Sequence, residues 1–416
     1  MAGTTDAPPP EDGKARLRDE VASRAEALVG ASHSIWEHPE LNFEEHHAHD
    51  VLTGILEDEG LEVERGAFGV DTAFVARAGS EGPTIAVLCE YDALPEIGHG
   101  CGHNVIAAAG LGAGLAAAAL ADEMGGRVVI MGTPAEEGGG GKVLLAERGA
   151  FEGVDAAMMV HPAGVDLVSM DVIAIHQLFA DYEGEAAHAA AFPQRGRNAL
   201  DAAVLGYNAV AALRQHIRPD ERIHGIFTLA GDKPNIVPHR AQAHWFVRSP
   251  SLQTLEALKP RVLACLDAGA AAAGCTCTIR WDDPAYADML DNAPIVDCYV
   301  ANARALTGRT LSDPREIGMP VVGSTDMGNV SYIVPSIHPM IAVAPPGVAI
   351  HTADFATHAR GPAGDQGVVD GALAMAATVL DLWSDPTLLA AARGAHRADV
   401  AAAGGTSLVS GASPPA

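Results

Sequence analysis

The glycine-rich stretch PEIGHGCGHN, residues 95–104, holds two histidines, a cysteine and an asparagine. Glycine frees the backbone and adds nothing to a core, so this stretch serves something other than packing. Cys101 and His103 stand two apart, and thiolate and imidazole are ligands for zinc and similar borderline metals. Alone, such a pair is weak evidence. Three further segments carry groups of the same kind. TPAEEGGGG places two adjacent carboxylates, Glu136 and Glu137, after an apolar run. Two such groups repel unless they divide the work, one coordinating a cation and the other holding a proton. MMVHPAG brings His161 to the end of another run, and AIHTADF puts His351 just after a fourth.

The elements around these segments are short apolar runs bounded by turn residues, at 84–90, 127–134 and 155–162. Each fits a buried strand, and a helical pattern over 104–123 lies between the first two. Helices are expected over about 14–33 and 43–59. Strand, helix and strand with two-sided burial predict an α/β sheet, with the four chemical segments at its carboxyl edge, where ligands gather. After Leu178 the pattern changes to strand, helix (197–215), strand (224–230), strand (240–248), helix (251–272) and strand (275–281). That order, βαββαβ, is the split ferredoxin-like unit. The α/β pattern resumes near Ile295. The predicted architecture is a catalytic α/β/α domain, residues 14–178 and 294–395, interrupted by a smaller domain over 179–293. The Pro-, Gly- and Ser-rich ends, 1–13 and 396–416, are expected to be flexible tails.

The 416 residues exceed one ordinary core, which agrees with two domains. A net charge of −27 repels phosphate backbones and anionic membranes, so no nucleic-acid or membrane partner is expected. No segment reads as an export signal or a membrane span. The six cysteines form no C-x-x-C pair and read as reduced thiols, which predicts a cytoplasmic protein. Two glycine-rich decoys fail. EEGGGGKVLL has Glu136 where a phosphate loop needs Gly and Val143 where it needs Ser or Thr. GLGAG (110–114) sits inside the helical pattern without dinucleotide-fingerprint spacing. Cys275 and Cys277 alternate on a predicted strand and read as core.

In order along the chain, EYDALPEIGHGCGHN, TPAEEGGGGK, VHPAG, GEAAHAAAFPQRGRNALDA, NIVP, GSTDMGNVSYIVPSIHP and HTADF resemble the M20 peptidase family over roughly residues 30–380. That family comprises dinuclear metallopeptidases and amidohydrolases, among them aminoacylases, aminobenzoyl-glutamate hydrolase and certain dipeptidases. The resemblance implies two divalent metal ions, zinc or manganese first, with cobalt or nickel as alternatives. It implies Cys101, His103, Glu137, His161 and His351 as ligands, with Cys101 bridging as thiolate. Glu136 would be the general base and Asp92 a carboxylate supporting the shell. His188 of the inserted domain would stabilise the oxyanion in a partner subunit's site, and Asn235 and Arg248 would hold the substrate carboxylate. The inserted domain would act as a lid and as the contact of a homodimer.

Two positions depart from many relatives. Glu90 stands where a histidine is common, and is either a sixth ligand or a supporting group. Asn104 stands where one branch has Asp, which resembles the aminobenzoyl-glutamate and dipeptidase side more than the hormone-conjugate side. The expected activity is hydrolysis of the amide of an N-acyl amino acid, an aminobenzoyl-glutamate-like conjugate or a dipeptide by metal-activated water. The alternative is a non-catalytic, metal-binding or regulatory protein on the same scaffold.

Overall fold

A computed structural model describes residues 10–316, 322–406 and 409. The chain divides into two compact units, the first formed by residues 1–171 and 289–416, the second by Val172–Asp288.

The first unit is built on a six-stranded sheet. Its order across is Val63–Arg65, Phe74–Ala78, Arg127–Gly132, Thr84–Cys89, Ala156–Met158 and Ser336–Ile337. The last four strands are mutually parallel. Phe74–Ala78 runs antiparallel to Arg127–Gly132, and Val63–Arg65 antiparallel to it in turn. Alternation along the central strand sends Ile85, Val87 and Cys89 into one core and Ala86 and Leu88 into another, so both faces of the sheet are covered. On the first face lie the helices Pro10–Glu37, His103–Ala118 and Pro362–Ser384. Pro362–Ser384 is long and apolar enough to cross a membrane, but most of it is buried inside this unit. The opposite face receives the helices Gly141–Glu147 and Met327–Ser331.

The first helix begins at Pro10 rather than Lys14, and the last, Pro386–Ala402, carries order into the expected C-terminal tail. Residues 1–9, 407, 408 and 410–416 of the expected tails lie outside the described residues.

In the second unit, strand Ala174–Glu183, helix Ala199–Leu213, strands Arg222–Leu229 and Arg240–Ser249, helix Leu252–Ala273 and strand Thr276–Tyr286 follow the βαββαβ order. Its strands pair antiparallel in the order fourth, first, third, second. The first strand starts before the expected boundary at 179 and ends at Glu183, so His188 lies beyond it, bridged to Ile236. Cys275 and Cys277 are half-buried here.

Candidate metal centre

The parallel strands end at Cys89, Gly132, Met158 and Ile337, and the loops leaving those ends carry the chemistry. The first loop carries Glu90 and Asp92, then turns back through Gly102 to His103, the first residue of a buried helix. Gly102 sits at φ 80°, and a Cβ there would lie 2.9 Å from Pro162, so only glycine brings His103 this close to the neighbouring strand end. The second loop carries Glu136 and Glu137, and the third leads into His161, the first residue of the short strand His161–Ala163. His351 reaches the same place from a loop ahead of helix Ala353–Ala359, and its backbone N–H donates to Gly100 O at 2.8 Å.

The side chains form three overlapping groups: Cys101, His103 and His161; Cys101, Glu137 and His351; and Glu90, His103 and Glu136. Within each, the potential ligand atoms lie within 4.8 Å of one another. Cys101 Sγ is 3.3 Å from His161 Nε2, and His351 Nε2 is 3.4 Å from Glu137 Oε1. Two ligands on one tetrahedral ion are roughly 3.3–3.8 Å apart, given bond lengths of about 2.0–2.3 Å. The spacing therefore fits. The polar atoms fit as well: His103 Nε2, Glu90 Oε1 and Glu137 Oε1 are buried, converge at 3.1 to 3.9 Å and form no aligned hydrogen bond, an arrangement that a shared cation would satisfy.

Asp92 fixes the geometry from behind. Its Oδ1 lies 3.1 Å from His103 Nδ1, and its Oδ2 accepts from the Glu137 backbone N–H at 2.8 Å. His103 therefore turns Nε2 toward the cluster, with Glu90 Oε1 at 3.1 Å, Glu137 Oε1 at 3.9 Å and Glu136 Oε2 at 4.0 Å. Such a carboxylate sets the tautomer and basicity of a ligating histidine.

Burial alone would pull the His103 imidazole down, but Glu90, Cys101 and Asp92 outweigh it and hold it well above its ordinary value. Burial, together with Glu90 and Glu137, pushes Glu136 well up. Burial and the nearby Glu137 push the Cys101 thiol well up too. His161 is driven well down, by burial first and then by His338, and so presents a neutral ring. The same negative field would favour a divalent cation, and a bound cation would lower the Cys101 pKa by stabilising its thiolate.

The profile of peptidase family M20/M25/M40 matches residues 86–381. The mouse Xaa-Arg dipeptidase (Mus musculus) is 38% identical over 405 residues, covering 94% of each chain. The chain belongs to peptidase family M20/M25/M40. It is a metal-dependent hydrolase of amide bonds. One component of the p-aminobenzoyl-glutamate hydrolase of Escherichia coli is 28% identical, over 92% of this chain and 94% of that one. Among solved structures, a putative aminohydrolase from methicillin-resistant Staphylococcus aureus superposes with a TM-score of 0.74 at 19% identity. The match covers 88% of this chain and 99% of that one, a likeness of fold.

As an M20/M25/M40 member, the chain brings Cys101, His103, Glu136, Glu137, His161, His351, Asp92 and Glu90 together in the first unit. His188, Asn235 and Arg248 belong to the second. There the Ala189 N–H donates to Asn235 O at 3.0 Å, which sets Asn235 beside His188. His188 Nδ1 accepts from the N–H groups of Ala190 (3.3 Å) and Ala191 (3.1 Å). Arg248 lies on strand Arg240–Ser249, where its Nε donates to His224 Nε2 at 3.3 Å.

Sequence reasoning missed Lys142, Asp326 and His338. Lys142 is fully buried and ion-paired to both Glu90 and Asp326. Its signal was a lysine following four glycines, which stands inside the quoted motif TPAEEGGGGK but was given no role. His338 packs edge-to-face on His161 with ring centroids 5.4 Å apart. Burial first, then Lys142, lowers it to about 3.

Proposed function

We propose that this chain is a dinuclear metal dipeptidase, with dipeptides ending in a basic residue as the first substrate class. Aminobenzoyl-glutamate-like conjugates and N-acyl amino acids come next. One observation carries the two-metal reading: Cys101 belongs to two separate groups of three potential ligands, one completed by His103 and His161, the other by Glu137 and His351. The substrate order follows the relatives, an Xaa-Arg dipeptidase at 38% identity and an aminobenzoyl-glutamate hydrolase component at 28%.

Zinc or manganese suits the mixed thiolate, imidazole and carboxylate donors, and cobalt or nickel would fit the same set. The ions, when bound, polarise the scissile carbonyl and acidify the attacking water. The protein's own part is proton traffic and orientation. Glu136 takes a proton from the attacking water on its carboxylate and returns it to the leaving amine nitrogen as the C–N bond breaks. A carboxyl whose surroundings favour its protonated form is suited to hold that proton between the two steps. Asp92 keeps His103 Nδ1 engaged. His188 is assigned to the oxyanion in a partner subunit's site, and Asn235 and Arg248 to the substrate carboxylate, where a guanidinium pairs bidentately.

A homodimer through the second unit is part of this reading. Arg222–Leu229 is an edge strand of its sheet, and it exposes Ile226, Phe227 and Leu229. Edges of that kind invite pairing with another chain. We place the protein in the cytoplasm, without nucleic-acid or membrane partners, on the strength of its six free cysteines and net charge of −27.

The test is amine release from Xaa-Arg and Xaa-Lys dipeptides, aminobenzoyl-glutamate and N-acyl amino acids, with chelator and with metal restored. Release that a chelator stops and metal restores supports the proposal. Protein that binds no metal and releases no amine overturns it.

A further inference from the structure

Outside the ligand cluster, Glu45 is buried as deeply as any carboxylate within it. Glu45 has no exposed surface, and it precedes helix His46–Asp58 as its N-cap residue without capping it through its side chain. Its two oxygens are spent elsewhere. Oε1 accepts from the Ala135 backbone N–H at 2.9 Å, and Oε2 accepts from Thr72 Oγ1 at 2.9 Å.

Ala135 is the residue immediately before the Glu136–Glu137 pair, and it is left-handed, with φ at 61°. A residue with a Cβ holds that conformation only where its surroundings force it. Here both peptide groups are pinned: the N–H by Glu45, and the carbonyl by the Gly141 N–H at 3.1 Å. The reversal matters for aim. Consecutive residues of an extended strand point to opposite sides, yet Glu136 Oε2 and Glu137 Oε1 approach the same His103 Nε2, at 4.0 and 3.9 Å.

The rest of the segment braces the same loop. Phe43 lies over Gly139, where a Cβ would come within 2.5 Å of its ring. Glu40 O accepts from the Ala93 N–H at 2.8 Å, next to Asp92. Residues 40–45 thus hold both acid-bearing loops from outside.

We propose that Glu45 is a positioning residue of the hydrolase: its carboxylate holds the left-handed turn at Ala135 that aims Glu136 and Glu137 at the metal pair. The role rests on the two-metal reading above. It is tested with Glu45→Ala, Glu45→Gln and the double variant Glu45→Ala/Ala135→Gly, each compared with wild type in the full-length protein. Folding is checked by thermal unfolding. Metal affinity is read by chelator competition against cobalt(II), and turnover as kcat and KM separately.

Glu45→Ala is expected to weaken cobalt binding about 10- to 100-fold, as loss of an outer-shell partner does. It should lower kcat at least as much, with KM changed less than threefold. Glu45→Gln keeps an acceptor for the Ala135 N–H and should restore most of both. The double variant should recover part of the loss, because glycine takes the left-handed turn unaided. Folded Glu45→Ala with wild-type metal affinity and kcat overturns the proposal, as does Glu45→Gln as impaired as Glu45→Ala. If Glu45→Ala does not fold, the double variant decides: recovery of folding without recovery of metal affinity overturns it. Wild-type protein that takes up no cobalt overturns the two-metal reading itself, and this role with it.

Discussion

Lys142 and Asp326 are tied twice: the ammonium donates to Oδ1 at 2.7 Å, and the Lys142 backbone N–H donates to Oδ2 at 2.8 Å. The same ammonium donates to Glu90 Oε2, and Glu90 turns its other oxygen toward His103. A fully buried lysine is thereby the fixed countercharge of the carboxylates behind the metal cluster. Burial would lower its pKa, but Asp326, Glu90 and Glu136 raise it above the ordinary value. Removing one partner of such a network leaves uncompensated buried charge. Lys142→Met is therefore expected to lose about 3–5 kcal/mol of stability, measured by urea unfolding. A loss under 1 kcal/mol would show that the cluster balances itself without the lysine.

Glu136→Gln should separate proton transfer from metal binding. Turnover is expected to fall by roughly 10²–10⁴-fold, the range for a positioned acid–base group, while metal content stays at the wild-type level. Elemental analysis beside the amine-release assay checks this. Metal lost in step with activity would reassign Glu136 as a ligand.

Cys101 is shared by two groups of three, whereas His161 and His351 each belong to one. Cys101→Ser should weaken both ions, and His161→Ala and His351→Ala one ion each. Native mass spectrometry counts the ions directly, and a Cys101→Ser protein that keeps both would rule out a bridging thiolate.

Asp291 gives a pH signature away from the cluster. Its carboxyl is buried, and burial raises it from 3.8 to about 7, with Ser169 opposing and Asp171 assisting. The folded-state value is raised, so ionisation is disfavoured in the fold, and stability is lost as pH climbs from the unfolded value through the folded one. About three pKa units at 1.36 kcal/mol each give a ceiling of about 4 kcal/mol. Asp291→Asn should unfold at a higher temperature than wild type at pH 8, and the gap should close below about pH 4. A gap that does not change with pH would refute the assignment.

Ile226 is 65% exposed on the edge strand of the second unit. On the homodimer proposed above, Ile226→Asp is expected to shift the protein from dimer to monomer in analytical ultracentrifugation. A wild type that sediments as a monomer would overturn the dimer, and a variant that stays dimeric would move the interface elsewhere.

What the sequence disclosed follows from how each residue gets its neighbours. Cys101, Glu137, His161 and His351 each follow an apolar run or its turn, so local patterning placed them at one sheet edge. The βαββαβ unit was legible because its strands and helices alternate with clear periods. The antiparallel strands Val63–Arg65 and Phe74–Ala78 were not, since three and five residues are too few to show a period. Lys142 and Asp326 stand 184 residues apart, and nothing local marks them as partners. Glu45 fell inside the helix expected over 43–59 and was given no role. Its role depends on the conformation of Ala135, which composition does not encode.

The second unit is inserted between residues 171 and 289, so the first unit is completed only by the chain that follows it. His351 and the core helix Pro362–Ser384 both lie in that later stretch. Synthesis proceeds from the N-terminus, and domains fold as their parts emerge. A nascent chain that has reached the end of the insertion already carries Cys101, His103, Glu137 and His161, yet lacks His351 and the core helix Pro362–Ser384. On the ligand set proposed above, metal uptake would be a late step in biogenesis, and until then Cys101 has no finished pocket around it. The insertion also sets the order of assembly: the smaller unit, continuous in sequence, can be complete before the unit that carries the chemistry.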